Sequence, residues 1–85
     1  MRNAATVLLF ATARTAIGLS HLEWPVGAEG MTVRALLRGL GTSYPKLRPA
    51  LRTSRFVLNG EYLSSLAAKV RPGDEFAVHP PYGGG

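Results

Sequence analysis

The stretch Thr32-Val33-Arg34-Ala35-Leu36-Leu37-Arg38-Gly39-Leu40-Gly41 decides how the rest of the chain is read. Val33, Leu36, Leu37 and Leu40 fall at i, i+3, i+4 and i+7, one face of a helix, while Arg34 and Arg38 share the other face. Thr32 carries the side-chain oxygen that caps a first turn, and Gly41 stands where a helix of this length would close. Gly39 weakens the helix slightly. No other segment has so clear a helical period, so this is the main helix, and its flanks must supply the surface it packs on.

Downstream, Pro45 starts a short helical turn from which Leu47 and Leu51 return to the core. Arg55-Phe56-Val57-Leu58, Asn59-Gly60 and Glu61-Tyr62-Leu63 read as a hairpin, because Asn-Gly accepts the positive φ angles of a type I′ turn. Pro72-Gly73 makes another turn, and Glu75 to His79 is a last strand closed off by Pro80-Pro81. Upstream, residues 5–11 read as a first strand and, after a turn at Gly18, residues 19–24 as a second, in which Leu22 and Trp24 alternate with His21 and Glu23. The order strand, strand, helix, strand, strand, strand predicts an α+β roll: a mixed sheet of four to five strands packed against one main helix over residues 1–79, with 80–85 as an extended tail. A ferredoxin-like arrangement lacks its second long helix here. A small RNA-binding barrel fits the same pattern, so the pattern leaves function open.

The 85 residues suit one domain and leave little room for a deep catalytic cleft. There are no cysteines, so the 46% of hydrophobic residues must hold the fold by ordinary packing, without disulfides or thiolate metal sites. Arg2, the apolar run from Ala4 and Ala11-Thr12-Ala13 faintly copy a secretory signal, but Val7-Leu8-Leu9-Phe10 suits a buried strand equally well. No apolar run reaches transmembrane length, and the expected location is the cytoplasm, with no membrane partner. A net charge of +5 and a pI near 10.5 point to an acidic protein or a nucleic acid as partner without choosing between them. Arg34, Arg38, Lys46, Arg48, Arg52 and Arg55 are the residues a basic RNA-binding module would use. Only Tyr44 and Phe56 lie near them, and an RNA-binding stripe interleaves more exposed aromatics, so nucleic acid is the less favoured partner.

Chemistry inside the chain is sparse. There is no phosphate-binding glycine loop of the Walker type, and the only two histidines, His21 and His79, are separated by most of the sequence. Asp74 and Glu75 are adjacent in a strand opening and point to opposite faces, which makes a poor acid/base pair. The distinctive feature is the end, Pro80-Pro81-Tyr82-Gly83-Gly84-Gly85. Two prolines stiffen the exit from the last strand, six extended residues reach about 20 Å, and three glycines leave the tail thin enough to thread a narrow channel in another protein. The tail would thus project a bare carboxylate into a partner's active site. Strand parity adds a surface: Val7, Leu9, Phe76 and Val78 face the helix, while Leu8, Phe10, Ala77 and His79 face away as an apolar outer face that wants a cover.

Five local patterns occur together: Val7-Leu8-Leu9-Phe10-Ala11 with Arg14 and Gly18; Thr32-Val33 with Leu36-Leu37; Tyr44-Pro45; Val57-Leu58-Asn59-Gly60-Glu61; and Gly73-Asp74-Glu75. With Pro80-Pro81 and terminal Gly84-Gly85, they resemble, over nearly the whole chain, the small subunit of molybdopterin synthase, a ubiquitin-like sulfur carrier of the β-grasp superfamily. Tyr82-Gly83 stands where that family has Val-Ser or Val-Thr, and His79 where it has an apolar residue. Many relatives are also acidic where this chain is basic.

The resemblance implies a non-catalytic, sulfur-carrying subunit whose chemistry is done by partners. The Gly85 α-carboxylate, ionised at neutral pH and a poor electrophile, would be adenylated by a ubiquitin-activating-type enzyme that uses ATP and Mg²⁺. A sulfur donor such as a cysteine desulfurase or rhodanese would convert the acyl-adenylate to a thiocarboxylate. The synthase large subunit would then spend that sulfur on the dithiolene of molybdopterin. Pro80, Pro81, Tyr82, Gly83 and Gly84 would insert with the tail, Phe10, Tyr62 and His79 would dock on the large subunit, and the chain itself would hold no cofactor or metal. Carriers for thiamine, cysteine or tRNA thiolation share the fold and the Gly-Gly end; Pro-Pro before the tail favours molybdopterin.

Overall fold

A computed structural model describes residues 3–81. The chain runs through strand β1 (Ala4–Leu9), helix α1 (Ala11–Ile17), strands β2 (His21–Pro25) and β3 (Met31–Thr32) and helix α2 (Val33–Ser43). A 3-10 turn, Pro45–Leu47, leads into helix α3 (Arg48–Thr53), followed by β4 (Arg55–Leu58), β5 (Glu61–Tyr62), β6 (Lys69–Val70) and β7 (Glu75–His79). Five strands form one sheet in the order β2-β1-β7-β4-β5, and β3 and β6 pair in a small second sheet. β1 and β7, the first and last strands, lie parallel at the centre, and every other pairing is antiparallel. This mixed sheet with one main helix across it is the ubiquitin-like β-grasp arrangement.

The main helix forms as its pattern predicts. Thr32 Oγ1 accepts a hydrogen bond from the Ala35 N–H at 3.1 Å, and Val33, Leu36 and Leu40 are fully buried. They meet Ala5, Val7 and Leu9 of β1 and Phe76 and Val78 of β7 in one core. Burying a Leu or Phe side chain contributes about 1.5–3 kcal/mol, so these few residues carry much of the fold. The helix passes Gly41 and ends at Ser43, with the Tyr44 N–H bonded to Leu40 O at 2.8 Å; Gly41 is therefore an interior residue and not the terminator. Gly39 has a packing role. A Cβ there would stand 2.8 Å from Cζ2 of Trp24, so a side chain would drive the indole of β2 off the helix.

The first strand is shorter than residues 5–11. It stops at Leu9, and Ala11 begins a helix that the strand reading passed over. Ala13, Ala16 and Ile17, at i, i+3 and i+4, pack on the core from this helix, and alanine has the highest helix propensity. Gly18, at φ 72°, closes it by donating to Arg14 O at 2.8 Å. The β2 strand likewise begins at His21 rather than Leu19 and extends through Pro25. The turn at Pro45 continues into α3, whose Ala50 is buried along with Leu47, while Leu51 is half-buried. No helix among the described residues is long and apolar enough to cross a membrane.

Candidate functional site

The hairpin and the turn before β7 tie one end of the sheet together. Asn59 and Gly60 take the positive φ angles of the turn, 49° and 87°. The Asn59 side chain then bridges to the neighbouring turn: Nδ2 donates to Asp74 Oδ1 at 3.1 Å, and Oδ1 accepts from the Glu75 N–H at 2.9 Å. Asp74 Oδ2 also accepts from the Arg71 N–H at 2.8 Å. Asp74 is thereby engaged in closing its own turn and the adjacent one.

The opposite end is where β7 runs out towards Pro80 and Pro81. Register places Arg55 of β4 beside His79, and Leu9 of β1 beside Val78, so Phe10 follows on the other side. The rings of Phe10 and His79 stack with centroids 4.7 Å apart and planes 20° apart. Tyr62 lies 6.4 Å from His79 in a tilted arrangement, and the Arg55 guanidinium sits over the Tyr62 ring at 5.4 Å. Tyr62 is 61% exposed and Phe10 40%, large apolar groups left uncovered at the surface. The sheet's outer face continues from them as a row across four strands: Leu8, Ala77, Val57 and Tyr62 are consecutive register partners.

Phe10, Tyr62 and His79, which come from three distant segments, are therefore brought together, around the point where the chain leaves the sheet. Parity is as expected at Val7, Leu9, Phe76 and Val78, all buried. Phe10 differs in detail, because it has left the strand and stands in extended conformation at the start of α1. Ala77 faces outward yet is only 5% exposed, since its neighbours in the row crowd a side chain of one methyl. Arg55 belongs to this group and sequence reasoning assigned it elsewhere. Its parity with Val57 was readable, but its register with His79 was not. Pro80 is half-buried and Pro81 exposed, and Tyr82, Gly83, Gly84 and Gly85 lie outside the described residues.

The six basic residues of the RNA-binding reading do not form one stripe. Arg55 is on the outer face of the sheet, Lys46 borders a depression beside Tyr44 and Ile17, and Arg38, Arg48 and Arg52 border a groove between α2 and α3. His21 is exposed on an edge strand. Among the described residues no group of three or more His, Asp or Glu side chains is placed to hold a metal ion.

Residues 7–85 match the model of the ThiS family. The chain is 32% identical over 80 residues to the molybdopterin synthase sulfur carrier subunit of Chlamydomonas reinhardtii, covering 93% of this chain and 95% of that one. The crystal structure of the small archaeal modifier protein SAMP1 of Haloferax volcanii superposes with a TM-score of 0.79 at 26% identity, covering 96% of this chain and 99% of the other. A complex of subunits 1 and 2 of the molybdopterin-converting factor of Helicobacter pylori matches at 20% identity with a TM-score of 0.69, covering 96% and 99%, a likeness of fold.

Proposed function

Because the chain belongs to the ThiS family, we propose that it is a sulfur carrier whose working group is the α-carboxylate of Gly85, serving as the small subunit of a molybdopterin synthase. The observation that carries the reading is a juxtaposition. The exposed ring cluster of Phe10, Tyr62 and His79 surrounds the end of β7, from which Pro80-Pro81 leads to the glycine tail. A partner seated on the rings would receive the tail in its own active site. Tyr62 and Phe10 are the kind of aromatic anchor that dominates such interfaces, each able to contribute about 2 kcal/mol or more when covered.

The chemistry follows from the carboxylate. Its oxygen attacks the α-phosphate of ATP on an adenylating partner, releasing pyrophosphate. The outer sulfur of a donor persulfide then attacks the acyl carbon and displaces AMP, and a thiol cleaves the resulting acyl disulfide, forming a disulfide with the donor cysteine and leaving a thiocarboxylate on Gly85. The relative in Chlamydomonas reinhardtii is named as the sulfur carrier of molybdopterin synthase, and the Helicobacter pylori fold relative is described in complex with a second subunit. Those names support a synthase large subunit as the docking partner and molybdopterin as the sulfur's destination. The test is intact mass after incubation with ATP, Mg²⁺, an adenylating enzyme and a sulfur donor: the expected product has one terminal oxygen replaced by sulfur. A chain lacking Gly85 that still supports molybdopterin formation would overturn the proposal.

A further inference from the structure

On the helix layer, across the core from the ring cluster, α2 and α3 border a groove of about 390 Å³. Half-buried Leu37 and Leu51 line it, and Arg38, Arg48 and Arg52 stand exposed around it. Arg48 is held in place: its Nε donates to Gly41 O at 3.0 Å, and its stem passes where Gly41 has no side chain, since a Cβ there would lie 3.4 Å from Arg48 Cγ. The sequence carries no acidic residue between Glu29 and Glu61, so α2, the 3-10 turn and α3 are wholly basic. None of its lining residues belongs to the ring cluster or to the sheet.

We propose that the α2–α3 groove is a second docking site, and that its occupant is an acidic protein segment carrying a leucine-like anchor. Guanidinium groups match carboxylates in a planar two-point geometry, and three of them around one concavity favour a partner with several carboxylates. The leucines between them take an aliphatic side chain, which a polyphosphate backbone does not provide. The lining has no aromatic ring on which a nucleobase would stack, which favours a protein segment over RNA. Because the groove and the ring cluster lie on opposite layers, a protein held here leaves the outer sheet face and the tail accessible to a second protein. A carrier that must be loaded by one partner and emptied by another gains a handle that competes with neither.

The test is an amide NMR titration of the full chain with the peptide acetyl-Glu-Glu-Leu-Glu-Glu-Leu-Glu-amide, with heptaglutamate amide and with an oligouridine as comparisons. The expected result is that the leucine peptide shifts the amides of Leu37, Gly41, Thr42 and Leu51, and that heptaglutamate binds about fivefold more weakly for want of an apolar anchor. The double variant Arg38→Ala/Arg52→Ala, whose amide dispersion reports its folding, weakens binding by roughly tenfold, at up to about fivefold per exposed charge. Tyr62→Ala leaves binding unchanged. The proposal is overturned if the leucine peptide leaves those amides unmoved at millimolar concentration, if the double variant keeps its affinity, or if oligouridine binds the same amides as tightly.

Discussion

At the end of the sheet where β4 turns into β5, side-chain hydrogen bonds tie two turns together, and three of the five acidic residues, Glu61, Asp74 and Glu75, lie in or beside those turns. At the other end, where β7 runs out, the neighbours meet through ring faces, with the Arg55 guanidinium over the Tyr62 ring and the His79 imidazole stacked on Phe10. The first end is satisfied within the chain. The second leaves large apolar surface uncovered, which a monomeric protein rarely does without a use for it. Under the proposed function the two ends of the same five strands differ in role: one is closed by hydrogen bonds within the chain, and the other offers the exposed rings to a partner.

Several substitutions would break that contrast if it is wrong. The largest effect belongs to the tail: removing Gly85, or adding one residue after it, is expected to abolish thiocarboxylate formation by intact mass while leaving the unfolding midpoint in urea unchanged. Next, Tyr62→Ala is expected to weaken docking on a synthase large subunit by about 2 kcal/mol, roughly 30-fold, in calorimetric titration, with stability preserved. An unaltered dissociation constant would remove Tyr62 from the docking surface. Asp74→Ala acts at the other end and should do the reverse, costing about 1–2 kcal/mol of stability because the Arg71 N–H and the Asn59 amide lose their acceptor. Weakened docking at constant stability in that variant would contradict the division of labour. The smallest effect is expected from His79→Ala, where loss of the stack on Phe10 is worth about 0.5–1.5 kcal/mol, read mainly in docking.

The parts of the molecule legible in the sequence are those settled by neighbours along the chain. Thr32 caps α2 because the bonded amide is three residues away, and Asn59-Gly60 turns because its own φ angles allow it. Burial of Val7, Leu9, Phe76 and Val78 followed from alternation alone. Helix α1 was missed because the apolar run Val7–Phe10 implied a longer strand, although Ala13, Ala16 and Ile17 already had helical spacing. The end of α2 was misplaced because Gly41 carries a terminator's identity and has an interior role, beneath the Arg48 stem.

By itself, then, the sequence determined one helix, one hairpin, the inward face of the central strands and a glycine tail behind two prolines, all consequences of local dihedral preference and period. Only the tertiary structure decided that Phe10, Arg55, Tyr62 and His79 share one end of the sheet, and that Arg38, Arg48 and Arg52 share a groove while Arg55 does not. The reason is register. Pairing β1 with β7 joins residues some seventy positions apart, and which partner each side chain meets is settled by packing the whole core, not by any property of the segment that carries it.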